Sequence, residues 1–285
     1  MIKVLFLILN YKSYLDTIRV TDELLEAKRR DSKIIIVDNA SPNESFQKIS
    51  EAFSENDLVD VIQSRENGGY AKGNNYGLRY AKKYAPKYVC IINNDVHFSW
   101  DTVDALIEIY DKLDKPAVIS PIQMLPDGKI ASFPILKVPN FWYDIRLNSI
   151  LFRIKKHVYK QNTRFENVQR VGIIPGAFLF TKYEIMEQIG FFNESTFLFC
   201  EERFLGKVVK DAGLNNYIIL NLAYLHEHSK TINSEASLKM QRAMMHEGRV
   251  KFIKKYGKYP TLQILLIDIV RIIHEFELMI VNRLI

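Results

Sequence analysis

Cysteine is nearly absent from this 285-residue chain, which contains only Cys90 and Cys200. Neither has a partner at short spacing, so the sequence predicts no disulfide framework and no zinc site, and a reducing compartment is expected. The apolar N-terminal run MIKVLFLIL is too short to span a bilayer and lacks a small-residue cleavage site. We therefore expect a buried strand there and no secretion signal.

Two common nucleotide-binding motifs are also missing. The first apolar run is followed by NYKSYLD instead of a GxGxxG fingerprint, and no GxxxxGKS/T phosphate loop occurs. These absences exclude the usual hydride-transferring dehydrogenases and P-loop hydrolases. Repeats and low-complexity tracts are lacking too, and 48% hydrophobic residues allow a large globular core.

The net charge is +6, which attracts phosphates, anionic lipid surfaces or nucleic acid. Basic and aromatic residues coincide in NFWYDIRLNSILFRIKKHVYKQ at 140–161, a segment that reads as a basic amphipathic helix. It fits either a lipid interface or an ordinary packed helix with a solvated basic face. No nucleic-acid reading motif accompanies it, so no nucleic acid is expected as a partner.

Short β-branched runs alternate with helical segments over the first third of the chain, which predicts βαβ units and an α/β fold with a mainly parallel, doubly wound sheet. Further strands are expected later, and the last stretch, 262–285, is predicted as an apolar helix. The predicted strands are 4–9, 34–37, 59–63, 88–92, 117–124, 176–181 and 217–225; the helices between them include 14–30, 45–54, 74–84 and 100–113.

Polar residues follow each of the first four predicted strands. Ligands bind at the carboxyl ends of parallel strands, so four successive polar ends favour a nucleotide crevice, although Asn, Asp and Gly also end strands routinely. Without a glycine cradle, a diphosphate needs a cation held by a carboxylate, and Asp95 is the natural ligand. The residues at these ends are Asn10, Asp38, Asn39, Glu66, Asn67, Gly68, Gly69, Asn93, Asn94 and Asp95.

Five segments, taken together in this order, resemble the inverting family 2 glycosyltransferases of the GT-A fold, especially the rhamnosyltransferase-like branch of bacterial surface polysaccharide synthesis. They are LILNYKS at 7–13, IIIVDNAS at 34–41, ENGGYAKGNNYGLRYA at 66–81, YVCIINNDV at 88–96 and PGAFLFTKYEIMEQIGFFNESTFLFCEERFLGKVVKDAG at 175–213. The resemblance implies a GT-A domain over 1–231, with a nucleotide half at 1–115 and an acceptor half at 116–231. It leaves 232–285 as a C-terminal helical region.

The resemblance also implies roles in donor binding. Asp38 corresponds to the aspartate that meets the base or ribose, and Asn67 and Gly69 to the loop over the base. The element 93–95 corresponds to the DxD-like motif, whose last residue, Asp95, binds Mn²⁺ or Mg²⁺, with His226 as a second ligand or merely the end of a strand. The nucleotide-sugar-binding residues are expected to be Asn10, Asp38, Asn67, Gly69, Asn74, Asn93 and Asn94.

Glu201 and Glu202 resemble the family's acidic pair. Inversion needs a carboxylate that takes the proton of the attacking hydroxyl, so Glu202 inherits the role of general base and Glu201 would shape the acceptor site. The chain departs from the family pattern at three places. Asn93 and Phe204 stand where relatives carry an acid, and Glu202 stands where most relatives have Asp. The alternative explanation makes the pair the acidic first turn of a helix.

The resemblance implies a UDP- or dTDP-sugar donor that carries a hexose or a deoxyhexose such as rhamnose. The implied acceptor is a glycan or a polyprenyl-diphosphate-linked acceptor. The enzyme would then work in the cytoplasm, peripheral on the inner face of the membrane. The C-terminal helix could pack on the domain, on a second copy as a homodimer, or on lipid. Two rival functions are a non-catalytic nucleotide-sugar-binding partner of the same fold and, less favoured, a nucleotidyltransferase.

Overall fold

The computed structural model describes residues 2–131, 135–147, 167–227 and 238–284, with the backbone alone for 146–147, 238–239 and 275–284. Within these ranges the strands form one nine-stranded sheet in the order β3-β2-β1-β4-β8-β6-β9-β5, and β7 pairs with β9. The strands are β1 Val4–Asn10, β2 Ser32–Asp38, β3 Val59–Gln63, β4 Tyr88–Asn93, β5 Val96–His97, β6 Pro116–Met124, β7 Val168–Val171, β8 Phe178–Lys182 and β9 Asn215–His226.

The first four strands of the chain are all parallel, and β1 lies between β2 and β4. Their apolar residues run without interruption because both faces of the sheet are covered. Phe6 and Ile8 of β1 belong to one buried cluster, while Leu5 and Leu7 belong to the other. Helices that return the chain between parallel strands supply both covering layers.

Those helices, and the ones that follow, surround the sheet. The glycine run that the sequence suggested as a ligand-approach loop is itself helical from Gly69 onward. Added Cβ atoms at Gly73 and Gly77 would lie 2.5 and 2.3 Å from Leu9 and Leu7 of β1, so these glycines let the helix pack closely on the sheet. The helices are α1 Tyr14–Leu25, α2 Ser45–Ala52, α3 Gly69–Ala81, α4 Trp100–Tyr110, α5 Phe141–Leu147, α6 Tyr183–Gln188, α7 Glu201–Asp211, α8 Leu238–Tyr256 and α9 Pro260–Leu284.

The second half of the sheet is mixed. β8 pairs antiparallel with β4 and with β6, β6 runs parallel to β9, and β5 and β7 pair antiparallel with β9. The two strands that the sequence did not predict, β5 and β7, are only two and four residues long. A pattern of alternating or continuous apolar residues cannot be recognised over so few positions.

The C-terminal helices pack on the rest of the chain. Phe252 and Tyr256 of α8 lie against Phe204 of α7, with ring centroids 5.2 and 6.1 Å away. Of the predicted basic helix at 140–161, α5 is described and 148–161 lies outside the described residues. In the part of the chain that the structure covers, no helix combines the length and apolarity needed to cross a bilayer.

Candidate active site

Two donor-binding candidates meet where β1 and β2 end, because Asn10 and Asp38 are paired in the parallel register. Asn10 Nδ2 donates to Asp38 Oδ2 at 2.8 Å, and the other carboxylate oxygen accepts from the Ser41 amide and from Gln63 Nε2. Asp38 is fully buried. As placed, its carboxylate holds the 38–41 loop together, and its contact with a base or ribose stays a prediction.

The turn before α3 is hydrogen-bonded to the loop that follows β2. Asn67 Oδ1 accepts from Asn39 Nδ2 at 2.9 Å and from the Gly69 amide at 3.1 Å. Gly69 has φ +81°, and a Cβ there would lie 1.8 Å from the carbonyl oxygen of Phe197. Only glycine fits this left-handed position, so Gly69 fixes how α3 begins beside the loop that leads to α7.

The remaining asparagines are less clearly directed at a ligand. Asn74 is buried within α3, where Nδ2 donates to the Tyr70 carbonyl at 3.0 Å. Asn94 Nδ2 donates to Thr17 Oγ1 at 2.9 Å, so its amide ties the turn to α1. Asn93 is half-buried, and its backbone amide donates to the carbonyl of Ala177. Their roles in donor binding stay predictions.

Asp95 and His226, the predicted metal pair, lie together although 131 positions separate them. Antiparallel pairing of β5 with β9 places Val96 opposite His226, and the Glu227 amide donates to the Asp95 carbonyl at 3.0 Å. This pairing puts His226 Nε2 3.1 Å from Asp95 Oδ1. Both side chains are mostly buried.

A second contact orients the imidazole. Gln123 Nε2 lies 2.9 Å from His226 Nδ1, while Gln123 Oε1 accepts from the hydroxyl of Tyr224 at 3.2 Å. With the amide placed this way, Nδ1 is the acceptor and Nε2 carries the proton toward Asp95. Metal-binding histidines are usually oriented by such a contact at the other ring nitrogen.

The acidic pair occupies the first turn of α7, which follows Cys200 in the left-handed conformation at φ 70°. Glu202 lies against Gly176, where an added Cβ would be 3.0 Å from Glu202 Oε1. The Tyr70 hydroxyl donates to the Gly176 carbonyl at 2.6 Å. The 175–177 segment and Tyr70 therefore form the wall against which Glu202 is held.

Burial, reinforced by the negative charge of Glu202, raises the pKa of Glu201 from 4.5 to about 8. Burial also raises the pKa of Glu202. A helix N-terminus stabilises negative charge by roughly 0.3–1 kcal/mol, which would lower both values. Burial opposes this effect in both residues, and perturbed acids of this kind concentrate at functional sites, so a catalytic role for the pair stays a prediction beside the alternative of an ordinary acidic first turn.

Tyr224 connects the two groups of acids. Burial and the nearby charges of Asp95 and Glu202 raise its pKa, and burial together with Glu202 and Glu201 does the same for Tyr70. Sequence reasoning missed both tyrosines, as well as Gln123. Tyr70 stands inside the glycine-rich motif and could have been noticed there, whereas Tyr224 looks like an ordinary strand residue.

The site therefore combines a polar edge on the parallel strands, an aspartate–histidine pair and an acid pair whose first member is buried. Residues 6–185 match the family model described as glycosyl transferase family 2. The chain belongs to this family. A low-salt glycan biosynthesis hexosyltransferase, Agl10 of Haloferax volcanii, is 26% identical over 197 residues, which is 69% of this chain and 58% of that protein. The chain thus spans under two thirds of that relative.

Solved structures show the same fold. GalNAc-T7, crystallised with UDP, GalNAc and Mn²⁺, has a TM-score of 0.66 at 13% identity, covering 92% of this chain and 49% of that one. The mannosyltransferase PcManGT from Pyrobaculum calidifontis, in complex with GDP-Man and Mn²⁺, has a TM-score of 0.59 at 15% identity, covering 93% and 68%. The fold class expected from the sequence, GT-A, is confirmed.

Proposed function

We propose that this glycosyltransferase moves a hexose or deoxyhexose, rhamnose among them, from a UDP- or dTDP-sugar to an acceptor hydroxyl with inversion. The observation that carries the proposal is the acid pair at the start of α7, in which Glu201 is buried and Glu202 is half-buried beside Gly176, together with the 3.1 Å contact between Asp95 and His226. One group suits proton removal and the other suits a diphosphate.

A divalent cation fits Asp95 and His226. Within the described ranges no three His, Cys, Asp or Glu side chains cluster, so the protein would supply two such ligands and the diphosphate and water the rest, as is common for phosphate-bound metals. Two neighbouring octahedral ligands at about 2.1 Å from a metal lie about 3.0 Å apart, close to the 3.1 Å between Oδ1 and Nε2.

The donor set further favours Mn²⁺ over Mg²⁺, because imidazole suits the softer ion. When bound, the cation would stabilise the negative charge that develops on the departing diphosphate. The Mn²⁺ in the structures of GalNAc-T7 and PcManGT supports the assignment. His226 would have to turn its proton from Nε2 to Nδ1, which requires Gln123 to present its oxygen instead of its amide nitrogen.

Glu202 is proposed as the general base. The acceptor hydroxyl oxygen forms a bond to the anomeric carbon as the bond from that carbon to the diphosphate oxygen breaks, and the hydroxyl proton passes to Glu202. The close approach of Gly176 and the wall formed with Tyr70 limit where the carboxylate can lie. Glu201, buried and with a pKa of about 8, would keep its proton at neutral pH and leave a single charge in the pair.

For the acceptor we propose a glycan or a glycan linked to a polyprenyl diphosphate, used at the inner face of the cytoplasmic membrane. Support comes from the basic residues near α7, since Lys207, Lys210 and Lys258 line one cavity with Trp142. Such a lining suits phosphate and apolar groups together. We also retain the division into a transferase domain at 1–231 and a helical region at 232–285 as a proposal.

The non-catalytic alternative rests on three departures from the family pattern, at Asn93, Glu202 and Phe204, of which Phe204 stands where relatives carry a further acid. Phe204 is fully buried against Phe252 and Tyr256, so this position belongs to the packing of α8 on α7. Its change therefore does not by itself imply a lost activity. The retained acid pair favours the catalytic function.

The decisive experiment is a thermal-stability screen of the full chain with UDP, dTDP, GDP, CMP and NAD, each with and without Mn²⁺, followed by donor hydrolysis with the nucleotide that binds. A ligand that binds only the folded state raises its apparent stability. We expect stabilisation by one pyrimidine diphosphate only with Mn²⁺, and slow hydrolysis of its sugar. Nucleotide binding without hydrolysis or transfer would favour the non-catalytic partner.

A further inference from the structure

The polarity of α9 is reversed relative to an ordinary surface helix. Among the residues of α9 whose side chains the structure describes, six exposed ones are leucine or isoleucine and recur at helical spacing, forming a stripe about 120° wide at 100° per residue, with the exposed Thr261 at its edge. We call this stripe the outer α9 face. It consists of Leu262, Leu265, Leu266, Ile269, Ile272 and Ile273, which are 38–63% exposed.

The polar residues of α9 lie on the opposite side, against the protein. Asp268 forms an ion pair with His246 of α8 at 2.8 Å, and Gln263, Arg271 and His274 are half-buried. Ile267, on the same inner side, is fully buried. The described polar groups are thus turned partly inward, with the Asp268 side chain still 41% exposed at the edge of the stripe, while six large apolar side chains face outward. Such an apolar outer face is expected where an apolar medium covers the helix.

Basic and aromatic residues border the outer α9 face at its N-terminal end. Lys254, Lys255 and Lys258 are exposed, and so are Tyr259 at 60% and Trp142 at 66%. Trp142 and Lys258 line one cavity, so the α5 aromatic residue lies beside the start of α9. Lysine together with tyrosine and tryptophan next to an apolar stripe is characteristic of the boundary between lipid headgroups and acyl chains.

We propose that the outer α9 face, with Trp142, Tyr259 and the three lysines, docks on the surface of a lipid bilayer that carries anionic headgroups. The apolar stripe enters the boundary layer while the lysines lie against the negative charge. The lysines favour the bilayer over a second copy, because anionic headgroups supply the opposite charge next to them. This inference concerns attachment and holds whether or not the proposed transfer chemistry is correct.

The test is sedimentation of the full chain with vesicles of phosphatidylcholine alone and of phosphatidylcholine mixed with phosphatidylglycerol. We expect binding to the mixed vesicles that weakens with added salt. The triple variant L265Q/I269Q/I272Q should bind at least about 10-fold less, and K254Q/K255Q/K258Q should lose the preference for phosphatidylglycerol. The matched control is Leu15→Gln on α1, which removes an equally exposed leucine, 70% exposed, and should bind like wild type.

Thermal midpoints and nucleotide binding of the variants separate loss of attachment from misfolding and from failure of the proposed transferase activity. Should the triple glutamine variant misfold, the lysine variant decides, together with the blue shift of Trp142 fluorescence that mixed vesicles should cause. Failure of the wild-type protein to sediment with mixed vesicles would overturn the proposal. So would a wild-type dimer that L265Q/I269Q/I272Q converts to monomer without any vesicle binding, since a second copy would then cover the face.

Discussion

Two buried carboxylates, one at the parallel half of the sheet and one beside its mixed half, have different surroundings. Asp38, in the parallel half, is fully buried and accepts hydrogen bonds from Asn10, Ser41 and Gln63. Glu201, at the mixed half, is 3% exposed, and burial beside Glu202 raises its pKa to about 8. A buried charge is tolerated where donors surround it and suppressed where they are few.

The difference separates scaffold from reactivity. The Asp38 carboxylate is held by three donors, so we expect it to serve mainly the shape of the loop. Glu202, the proposed base, stands beside an acid that holds its proton more strongly, so we expect the Glu202 carboxylate to take the proton of a reactant. Substitutions that remove a charge should therefore damage one region through stability and the other through rate.

The largest expected effect is on rate. Glu202→Gln should lower the transfer rate about 10³-fold, because the amide cannot accept the hydroxyl proton, while donor binding and the thermal midpoint stay near wild type. The wild-type rate should rise with pH as Glu202, whose pKa is raised, loses its proton. The matched control is Glu184→Gln, an exposed acid in the first turn of α6. Near wild-type transfer by Glu202→Gln would remove Glu202 from the role of base.

Asp95→Asn should lower turnover about 10²- to 10³-fold and abolish the response to Mn²⁺, because the amide is a poor ligand while its size is unchanged. Turnover measured across a Mn²⁺ titration checks this expectation. The control is Asp101→Asn, an exposed acid at the start of α4. An unchanged Mn²⁺ response would place the metal, if one is used, on other residues.

Asp38→Asn should act through stability. The new amide group brings two donors against three existing ones, so we expect a loss of about 2 kcal/mol in the free energy of unfolding. Denaturant unfolding measures this, with Asp57→Asn as a control, since that aspartate has a side chain 78% exposed. A stable variant that has lost only nucleotide affinity would show that Asp38 serves the ligand more than the loop.

Gly176→Ala should lower the rate about 10-fold. The added Cβ would lie 3.0 Å from Glu202 Oε1 and 3.5 Å from the Tyr70 hydroxyl, so the carboxylate must move by a few tenths of an ångström, and small misplacements of a reacting group are costly. Single-turnover kinetics with saturating donor isolate this step. A lower donor affinity with an unchanged rate would place Gly176 outside the proton-transfer wall.

Glu201→Gln should change how stability depends on pH. The pKa of Glu201 is about 8 in the folded protein and 4.5 in the unfolded chain. The contribution of Glu201 to the free energy of unfolding is therefore fully present below pH 4.5 and is lost as pH rises toward 8. The glutamine variant cannot ionise, so at pH 8 its free energy of unfolding should exceed that of wild type by up to about 4 kcal/mol, a difference that a thermal midpoint resolves readily. Parallel midpoint curves from pH 5 to about 8.5 would show that Glu201 is not held in its neutral form.

The sequence predicted the parallel half of the sheet well. β1, β2 and β4 are continuous apolar runs, and each prediction agrees with the structure to within about two residues at either end. The start of α3 was placed at 74 instead of Gly69, since glycines suggest a loop when the sheet they approach is unknown. Only the tertiary contact with β1 explains why a helix tolerates them.

Prediction of the site was limited in the same way, by contacts between residues far apart in the sequence. Asp95 and His226 were predicted as a pair and lie 3.1 Å apart, although their role with a metal stays a prediction. Gln123 and Tyr224 could not be predicted, because their importance arises from strand pairing over long sequence separations. The protonation of Glu201 likewise depends on burial, which single-sequence patterns do not measure.

The pairing of β5 with β9 has a consequence for synthesis on the ribosome. The sheet order places β8 and β6 between β4 and β9, so Asp95 can meet His226 only after these later strands have joined. A chain that ends before β9 lacks His226 and so cannot form the contact with Asp95. If the proposed function is correct, we expect such unfinished chains to be inactive toward activated sugars.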